Sequence, residues 1–338
     1  MSYNIALQFE DGVSRIIPCE ADELVCDAAY RAKINIPLDC RDGACGTCKC
    51  HCESGSFEMG VYIDDALTED EAAEGYVLTC QMKPTSDCVV RVPASSAACK
   101  TEVGTYGGKM AKIDRDSPTT VSFTLKSETP VTFLPGQYVN LQVPGTKETR
   151  SFSFSSMPNQ TELSFLIRDV PDGLMSTYMR QKAEVDDFMM FSGPYGSFYL
   201  RPVERPVLML AGGTGLAPFL SMLLSLKDNP GTEPIRLAYG VNTVADLVEI
   251  EALDALKATM PHFDYFTCVV DADSGHPKLG YVTDHLSAED LHDGNVDVYV
   301  CGPPPMVEGV RKWMAGVGVT PKNFLFEKFS ASTEAATV

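Results

Sequence analysis

The chain has 338 residues, and a hydrophobic content of 44% is enough to bury two or three ordinary globular cores. Its 27 basic and 46 acidic residues give a net charge of −19, which argues against a nucleic-acid partner because no basic patch is available to neutralise phosphates. The N-terminal sequence has no basic segment followed by an apolar run, so we expect no signal peptide and a reducing, cytoplasmic location.

Ten of the twelve cysteines fall in the first hundred residues, and this stretch is therefore interpreted as a separate unit. It opens with two alternating strands, YNIALQF and VSRIIPC, around an EDG turn. A helix follows, for which Asp22 is a candidate N-cap, and Thr68 and Glu71 form a capping-box pattern further on. The strand-like segments YVLTCQM and DCVVRVP complete a unit rich in strands.

The stretch DCRDGACGTCKC, residues 39–50, contains a C-x4-C-x2-C pattern. Cys40, Cys45 and Cys48, followed by the distant Cys80, have the spacing of plant-type [2Fe–2S] ligands. Three thiolates must curl around one small cluster, and the intervening glycines tolerate the backbone dihedrals that this requires. The spacing therefore predicts a [2Fe–2S] cluster held by these four cysteines.

Other uses of these thiols fit the sequence less well. A structural zinc site usually shows a second close pair that matches Cys45 and Cys48, and the sequence has no second C-x2-C pair. Covalent haem needs a histidine directly after Cys48, where Lys49 stands, and Rieske ligation needs a suitably placed second histidine beside His51. Cys50 and Cys52, on the strand that leaves the loop, are interpreted as small buried side chains.

Residues 95–101 form a linker to a second unit, residues 102–203, whose short strands and Pro/Gly turns predict a small antiparallel barrel. Its segment RSFSFSS, residues 150–156, contains Arg150, a guanidinium that can bind a pyrophosphate in a bidentate manner. On these residues alone, an ordinary barrel with solvated arginines stays an open alternative.

Residues 204–330 alternate strand-like and helix-like segments, which predicts a parallel sheet covered by helices. The apolar stretch at 206–226 has the length of a bilayer span, but its glycines and Pro218 divide it into a strand, a tight turn and a helix. Gly213, Thr214 and Gly215 in that turn let backbone amides approach a pyrophosphate. Since Pro218 occupies the last position of a complete dinucleotide-binding glycine motif, this signal alone is modest.

Six motifs, spread over residues 1 to about 330, resemble those of a known protein family. The family is the NADH-dependent reductase components of multicomponent aromatic-ring dioxygenases, which belongs to the ferredoxin–NADP reductase superfamily. They are the cysteine loop, RSFSFSS, FLIRDVPDGLMSTYM, AGGTGLAP, VCGPPPM and FLFEKFSAS. The resemblance implies a multi-domain α+β and α/β fold. Its parts are a β-grasp ferredoxin domain (1–94), the linker (95–101), an antiparallel flavin-binding β-barrel (102–203), a parallel-sheet NAD-binding domain (204–330) and a tail (331–338).

For the flavin, the family's strand motif is Arg-x-Tyr-Ser, and Phe152 stands at the tyrosine position, so one hydroxyl contact is lost. The resemblance implies that Ser153 lies near flavin N5. It also implies that the segment around Gly173 offers amides and a hydroxyl to the phosphates at a helix start. The expected FAD-binding residues are Arg150, Ser151, Phe152, Ser153, Ile167, Arg168, Gly173, Met175 and Ser176.

For the nicotinamide, the resemblance implies that Cys301, in the VCGPPPM run, lies against the reacting carbon. Glu327 and Phe329 match the family's C-terminal acid and the aromatic cap beside the flavin ring. The expected catalytic residues are Ser153, Cys301, Glu327 and Phe329.

The charges of the residues after the second and third strands of the predicted parallel sheet favour one of the two coenzymes, NADH or NADPH. In superfamily members that take NADPH, basic or hydroxyl side chains after the second and third strands hold the 2′-phosphate, whereas Asn242, Asp271 and Asp273 stand here. Carboxylates would repel a phosphate and can accept from a ribose hydroxyl, which favours NADH. The remaining expected cofactor-binding residues are Gly213, Thr214, Gly215, Asp271, Cys301, Gly302, Pro303 and Phe329.

The resemblance implies an oxidoreductase that passes electrons from NADH to FAD, to the [2Fe–2S] cluster and then to a Rieske-type terminal oxygenase. The first hundred residues have 8 basic and 17 acidic residues, so we expect this acidic unit to dock the oxygenase. We also expect a monomer with no membrane partner. Two alternatives stay open: a reductase that serves a di-iron monooxygenase, and a flavin and iron–sulfur carrier or sensor without turnover.

Overall fold

The computed structural model describes residues 2–38, 41–44, 46–64, 66–100, 103–115 and 117–329, so the predicted tail at 331–338 lies outside the described residues. Two compact units divide the chain: Met1–Gly104 with Gly193–Ser197, and Thr105–Ser192 with Phe198–Val338. The expected domain boundaries at residues 94, 101, 203 and 330 stay a prediction. Within the described ranges, every helix falls short of the length or hydropathy that a transmembrane span requires.

The first unit is built from short strands and two short helices. In chain order these are β1 (Ser2–Phe9), β2 (Ser14–Glu20), α1 (Val25–Arg31), β3 (Lys49–Ser54), β4 (Phe57–Met59), α2 (Glu69–Ala73), β5 (Tyr76–Leu78), β6 (Met82–Pro84) and β7 (Cys88–Val92). The strands β2, β1, β7, β3 and β5 form one mixed sheet in that order, and β4 pairs with β6. Ile5, Leu7 and Phe9 alternate into the core from β1, which confirms the predicted hairpin.

The two helices begin in different ways: a capping box starts α2, whereas α1 has no side-chain cap. The Thr68 hydroxyl accepts from the Glu71 amide at 3.2 Å, and the Glu71 carboxylate accepts from the Thr68 amide at 3.0 Å, so the predicted capping box is confirmed. The predicted cap of α1 at Asp22 is wrong, because the N-cap is Leu24 and it bonds through no side chain. The amide of Cys26, in the first turn, instead donates to the Thr79 carbonyl at 3.1 Å, which satisfies it without a cap.

The barrel consists of β8 (Gly104–Asp114), β9 (Thr120–Val131), β10 (Tyr138–Gln142), β11 (Thr149–Ser153), β12 (Gln160–Arg168), α3 (Leu174–Gln181) and β13 (Phe188–Tyr195). Its strand order is β11-β10-β13-β8-β9-β12, with antiparallel pairing of β10 to β11, β8 to β9 and β9 to β12. A bridge between Phe154 and Phe165 joins the two outer strands, and Phe154 stacks on Phe133 with ring centroids 3.7 Å apart. The predicted antiparallel barrel is confirmed.

The parallel sheet follows, with β14 (Val207–Gly212), α4 (Leu216–Leu226), β15 (Ile235–Val241), α5 (Ile250–Thr259), β16 (Phe263–Val269), β17 (Asp297–Gly302), α6 (Pro304–Val317) and β18 (Asn323–Lys328). Its strand order is β16-β15-β14-β17-β18, and all neighbours pair parallel. The stretch 206–226 divides as predicted, since a 3-10 turn at Gly213–Gly215 separates β14 from α4. The carboxyl ends of all five strands meet at one edge, where ligands of such sheets bind.

At the opposite edge, a buried ion pair joins the amino ends of three strands. Asp297, which begins β17 and is 2% exposed, accepts from Arg205 through both carboxylate oxygens at 3.0 Å. Asn323, which begins β18, donates to the same carboxylate at 2.7 Å. Arg205 lies just before β14, so one carboxylate fixes three neighbouring strands.

We expect Arg205→Ala to lower the free energy of unfolding by about 3–5 kcal/mol, because it leaves a buried carboxylate without its counter-charge. Lys257→Ala breaks the exposed Lys257–Asp264 pair and should cost less than about 1 kcal/mol. Chemical denaturation of both variants measures the difference. An equal loss of unfolding free energy in the two variants would show that pairing of the buried Asp297 carboxylate does not control the stability of the sheet.

Candidate functional site

Two of the four predicted cluster ligands, Cys48 and Cys80, lie in one buried apolar cluster of the first unit. The amide and the hydroxyl of Thr79 both donate to the Cys48 carbonyl, at 3.2 and 3.3 Å. These bonds hold the end of the cysteine loop beside the residue that precedes Cys80. The other two predicted ligands, Cys40 and Cys45, lie outside the described residues.

Two glycines shape the loop that carries the predicted ligands. Gly43 and Gly46 have φ values of +82° and +73°, in the left-handed region that glycine tolerates best. A Cβ on Gly43 would lie 2.5 Å from the Val61 carbonyl oxygen, so the loop backbone packs directly on the backbone that follows β4. The Ile63 amide donates to the Gly43 carbonyl at 3.3 Å, which holds the two segments together.

These features fit a [2Fe–2S] cluster, because buried thiols supply soft ligands and a tight glycine loop lets amides face a small anionic group. No three potential ligands already converge among the residues that the structure describes, which do not include Cys40 and Cys45. Cys50 is buried and Cys52 half-buried on β3. Burial raises the pKa of Cys52 to about 11, so its thiol stays protonated, as expected of a side chain that fills space.

The predicted flavin residues lie on β11, on β12 and at the start of α3. On β11, strand alternation turns Ser151 and Ser153 to one side and Arg150 and Phe152 to the other. Phe152 packs against the barrel core, which suits the ring without a hydroxyl. Arg150 contacts the exposed Glu148 carboxylate at 3.3 Å, a weak partner that a phosphate can replace.

The start of α3 offers backbone amides to a phosphate. Its N-cap is Gly173, and no capping side chain in the described residues bonds its first turn. The Ser176 hydroxyl instead accepts from the Val170 amide at 2.9 Å and donates to the Arg168 carbonyl at 3.2 Å, which shapes the loop before the helix. Two further predicted residues have side chains in the barrel core: Ile167 and Met175. Arg150 and these amides fit the phosphates of FAD.

The glycine turn after β14 packs against the end of β17. A Cβ on Gly215 would lie 2.2 Å from the Cys301 carbonyl oxygen, and a Cβ on Gly302 would lie 3.2 Å from the Gly212 Cα. Helix α4 begins directly after the turn, and in the described chain no side chain caps its start. The Leu216 amide bonds the Gly213 carbonyl within the turn and Pro218 has no amide, so the amides of the turn itself are the ones that face a pyrophosphate, and the turn fits a dinucleotide.

Ser153, Cys301 and Glu327 come together at the same edge of the sheet. The Ser153 hydroxyl donates to the Glu327 carboxylate at 3.3 Å, and Cys301 pairs with Glu327 across β17 and β18. Burial, and then the nearby Glu327 carboxylate, raises the pKa of Cys301 well above its usual value, which keeps the thiol neutral. Phe329, the fourth expected catalytic residue, packs against the sheet core, and its amide donates to the Gly302 carbonyl at 2.8 Å.

The loops after β15 and β16 lie at this edge and are acidic. The Asp271 amide donates to the Asn242 carbonyl at 2.9 Å, and the Asp271 carboxylate accepts from the Asp273 amide at 3.1 Å. Neither 242–249 nor 270–277 contains lysine or arginine. These two stretches therefore offer no cation to a 2′-phosphate, and the next residue, Lys278, has its ammonium 5.0 Å from the centre of the Phe266 ring.

Sequence analysis missed the contact between the barrel and the loop after β15. The Ser117 hydroxyl donates to the Ala245 carbonyl at 3.2 Å, and the Thr119 hydroxyl donates to the Asp246 carboxylate. Asp246 also accepts from the Thr243 amide at 2.8 Å, which shapes the loop. A Thr-x-x-Asp capping pattern at 243–246 is the local signal, but its partner in the barrel is more than a hundred residues away.

Three family models match consecutive parts of the chain. They are the 2Fe-2S iron-sulfur cluster binding domain at residues 8–85, the oxidoreductase FAD-binding domain at 109–199 and the oxidoreductase NAD-binding domain at 209–312. The fold and its sites thus define a class of protein, the FAD- and NAD-dependent oxidoreductases with a [2Fe–2S] ferredoxin domain.

Full-length relatives narrow this class. The toluate 1,2-dioxygenase electron transfer component of Pseudomonas putida is 51% identical over 335 residues, which cover 98% of this chain and 100% of that one. The 2-halobenzoate 1,2-dioxygenase electron transfer component of Burkholderia cepacia is 52% identical over 337 residues, covering 98% of each. The crystal structure of an Amycolatopsis cytochrome P450 reductase matches with a TM-score of 0.73 and 28% identity, over 97% of this chain and 99% of that one.

The chain belongs to the family of 1,2-dioxygenase electron transfer components. It is an oxidoreductase that carries electrons from NADH through FAD to a [2Fe–2S] cluster. The expectations for the fold class, the cofactors and the activity are confirmed, which favours a reductase over a carrier or sensor without turnover.

We expect Ser153→Ala and Glu327→Gln each to slow NADH-dependent ferricyanide reduction by about 10²-fold, the usual contribution of a positioned polar group at reacting atoms. The double variant should be little slower than either single variant, because both changes remove one contact. Thr132→Ala, on the same barrel but outside the site, should leave the rate unchanged. Additive losses in the double variant would contradict a shared role.

Proposed function

We propose that this protein delivers electrons from NADH to the Rieske-type terminal oxygenase of a benzoate- or toluate-type 1,2-dioxygenase. Full-length identity of 51% and 52% to the toluate and 2-halobenzoate components is the observation that carries this proposal. The acidic first unit supports it, because an acidic surface suits transient docking to a basic protein partner.

FAD, when bound, converts the two-electron hydride of NADH into single electrons, which a [2Fe–2S] cluster accepts one at a time. The chain's own residues bind and orient the reactants. The amides of the glycine turn Gly213–Gly215 hold the dinucleotide pyrophosphate, and Arg150 with the first amides of α3 holds the flavin phosphates.

Around the reacting atoms, Ser153 and Glu327 form the polar pair and Cys301 supplies a buried, neutral thiol. A neutral thiol adds no charge beside the nicotinamide ring and excludes water from it. Phe329 covers the same end of the sheet. Cys40, Cys45, Cys48 and Cys80 hold the cluster in this scheme, with Cys48 and Cys80 already buried in one apolar cluster.

The protein works in the cytoplasm as a monomer in this proposal. Its cysteine-rich first unit supports a reducing compartment, since many buried thiols such as Cys19, Cys26 and Cys99 would be exposed to oxidation elsewhere during folding. A mass measurement in solution tests the monomer.

Coenzyme preference follows from the acidic loops. We expect NADH to be used in preference to NADPH, and Asp271→Asn/Asp273→Asn to raise kcat/KM for NADPH by about fivefold to tenfold. Two like charges about 4 Å apart in water repel by about 1 kcal/mol, which corresponds to about a fivefold effect. Asp228→Asn, an exposed acid that follows α4, is the matched control and should change neither coenzyme. An unchanged preference in the double variant would contradict the role given to these carboxylates.

The electron path is tested by reconstitution with purified oxygenase components. With NADH and a Rieske-type benzoate or toluate oxygenase, we expect oxygenated product in proportion to NADH consumed. Cys48→Ser should lose the cluster absorption and product formation but keep NADH-dependent ferricyanide reduction, which needs only the flavin. Cys50 is an equally buried thiol two residues away, so Cys50→Ser should keep the cluster absorption, product formation and ferricyanide reduction.

Two results would contradict the proposal. Product formation with a di-iron hydroxylase, and none with the Rieske oxygenase, would assign the chain to a monooxygenase. Product formation that survives in a folded Cys48→Ser protein without cluster absorption would show that electrons reach the oxygenase without passing through the cluster.

A further inference from the structure

We propose that Val61, Ile63, Asp64, Glu69 and Asp70 form the surface through which this protein docks onto its terminal oxygenase. We call these five residues the 61–70 face. The inference rests on the proposed function, because it names where the oxygenase binds. The partner surface that fits is an apolar depression surrounded by lysine or arginine.

Exposed apolar side chains are the first observation. Val61 is 83% exposed and Ile63 is 49% exposed, although the residue between them, Tyr62, packs into the apolar cluster that contains Cys48 and Cys80. One side chain thus anchors the segment while its two neighbours present apolar surface to solvent. A single exposed apolar residue is ordinary, but two on one anchored segment form a patch that a protein partner can cover.

The second observation is the contact of this segment with the cysteine loop. The Val61 carbonyl lies 2.5 Å from the position of a Cβ on Gly43, and the Ile63 amide bonds the Gly43 carbonyl at 3.3 Å. A Cβ on Gly46 would likewise lie 3.0 Å from the Ala66 carbonyl. A protein seated on the 61–70 face therefore lies directly beside the loop that carries the predicted ligands, where electron transfer needs it.

Charge is the third observation. Residues 58–74 contain seven aspartates and glutamates and no lysine or arginine. Asp64, Glu69 and Asp70 are exposed, and none of the three forms an ion pair within the described parts of the chain. Their charges are therefore available to a partner, whereas the neighbouring Glu71 is already bonded to Lys49 at 2.5 Å.

A tight turn brings these charges to the apolar pair. The Ile63 carbonyl accepts from the Ala66 amide at 3.0 Å and from the Leu67 amide at 3.2 Å, so the chain turns back directly after Ile63. Helix α2 then begins within two residues of Leu67, with Glu69 and Asp70 in its exposed first turn. The result is an apolar centre with an acidic rim, which is the composition of transient protein interfaces, and the charges speed association with a basic partner.

The test uses the coupled assay with purified Rieske-type oxygenase. We expect Val61→Ser/Ile63→Ser to raise KM for the oxygenase by at least about tenfold, because two apolar contacts are lost at the interface. NADH-dependent ferricyanide reduction and the cluster absorption should stay within about twofold of wild type. Asp64→Asn/Glu69→Gln should raise KM less and should weaken its dependence on salt.

Ile16→Ser is the matched control, since Ile16 is 71% exposed on β2 in the same unit but next to Arg15. It should leave KM unchanged. If the double variant loses its cluster absorption, the KM for the oxygenase is measured on the single variant Val61→Ser instead. The Val61 side chain is 83% exposed and makes few internal contacts, so its replacement should leave the cluster in place.

The outcomes separate this inference from the proposed function. A wild-type protein that supports product formation, with the same KM in Val61→Ser/Ile63→Ser, would overturn the 61–70 face alone. A KM that rises equally in Ile16→Ser would overturn it as well. A wild-type protein that supports no Rieske oxygenase would overturn the proposed function, and this inference with it.

Discussion

The packing of the glycine turn after β14 on the backbone at the end of β17 determines the geometry of the proposed reaction site. A Cβ on Gly215 would lie 2.2 Å from the Cys301 carbonyl oxygen, so no other residue fits without a backbone shift. This contact fixes Cys301, and the pairing of β17 with β18 then places Glu327 beside it. Ser153 reaches the same point from the barrel. The positions of the expected nicotinamide and flavin residues therefore depend on one close approach of two backbones.

A glycine also allows a close approach of two backbone segments in the first unit. Gly43 allows the cysteine loop to pack on the Val61 carbonyl, and the resulting contact also determines which residues surround the loop. In both places, glycine lets backbone amides and carbonyls approach closely, and the neighbouring side chains supply the chemistry. At the opposite edge of the parallel sheet, the buried Asp297 carboxylate joins three strands through Arg205 and Asn323.

Local patterns predicted local structure well. The capping box at Thr68 and Glu71 and the division of the apolar stretch at Gly213–Gly215 are confirmed, because each depends on residues within a few positions of one another. The cap of α1 at Asp22 was wrong, because a carbonyl from a distant segment, that of Thr79, satisfies a first-turn amide that a cap would have bonded.

Only some residues of the candidate site could be predicted from the sequence. The cysteine spacing and the glycine turn could be recognised from the residues alone, since their chemistry requires a fixed spacing. Ser153 and Glu327 are 174 residues apart, so only resemblance to a family could join them before the fold was known. The buried Arg205–Asp297 pair, 92 residues apart, and the bond of Thr119 to Asp246 had no such signal. Burial of Ile167 and Met175 likewise depends on how the barrel closes.

An anaerobic titration with NADH, followed by visible absorption and low-temperature EPR, tests most directly whether electrons travel from NADH through the flavin to the cysteine loop. We expect the flavin absorption to fall and the EPR signal of a reduced [2Fe–2S] cluster to appear in the same titration. Loss of flavin absorption without a cluster signal, in protein that contains its full iron and sulfide, would contradict this path.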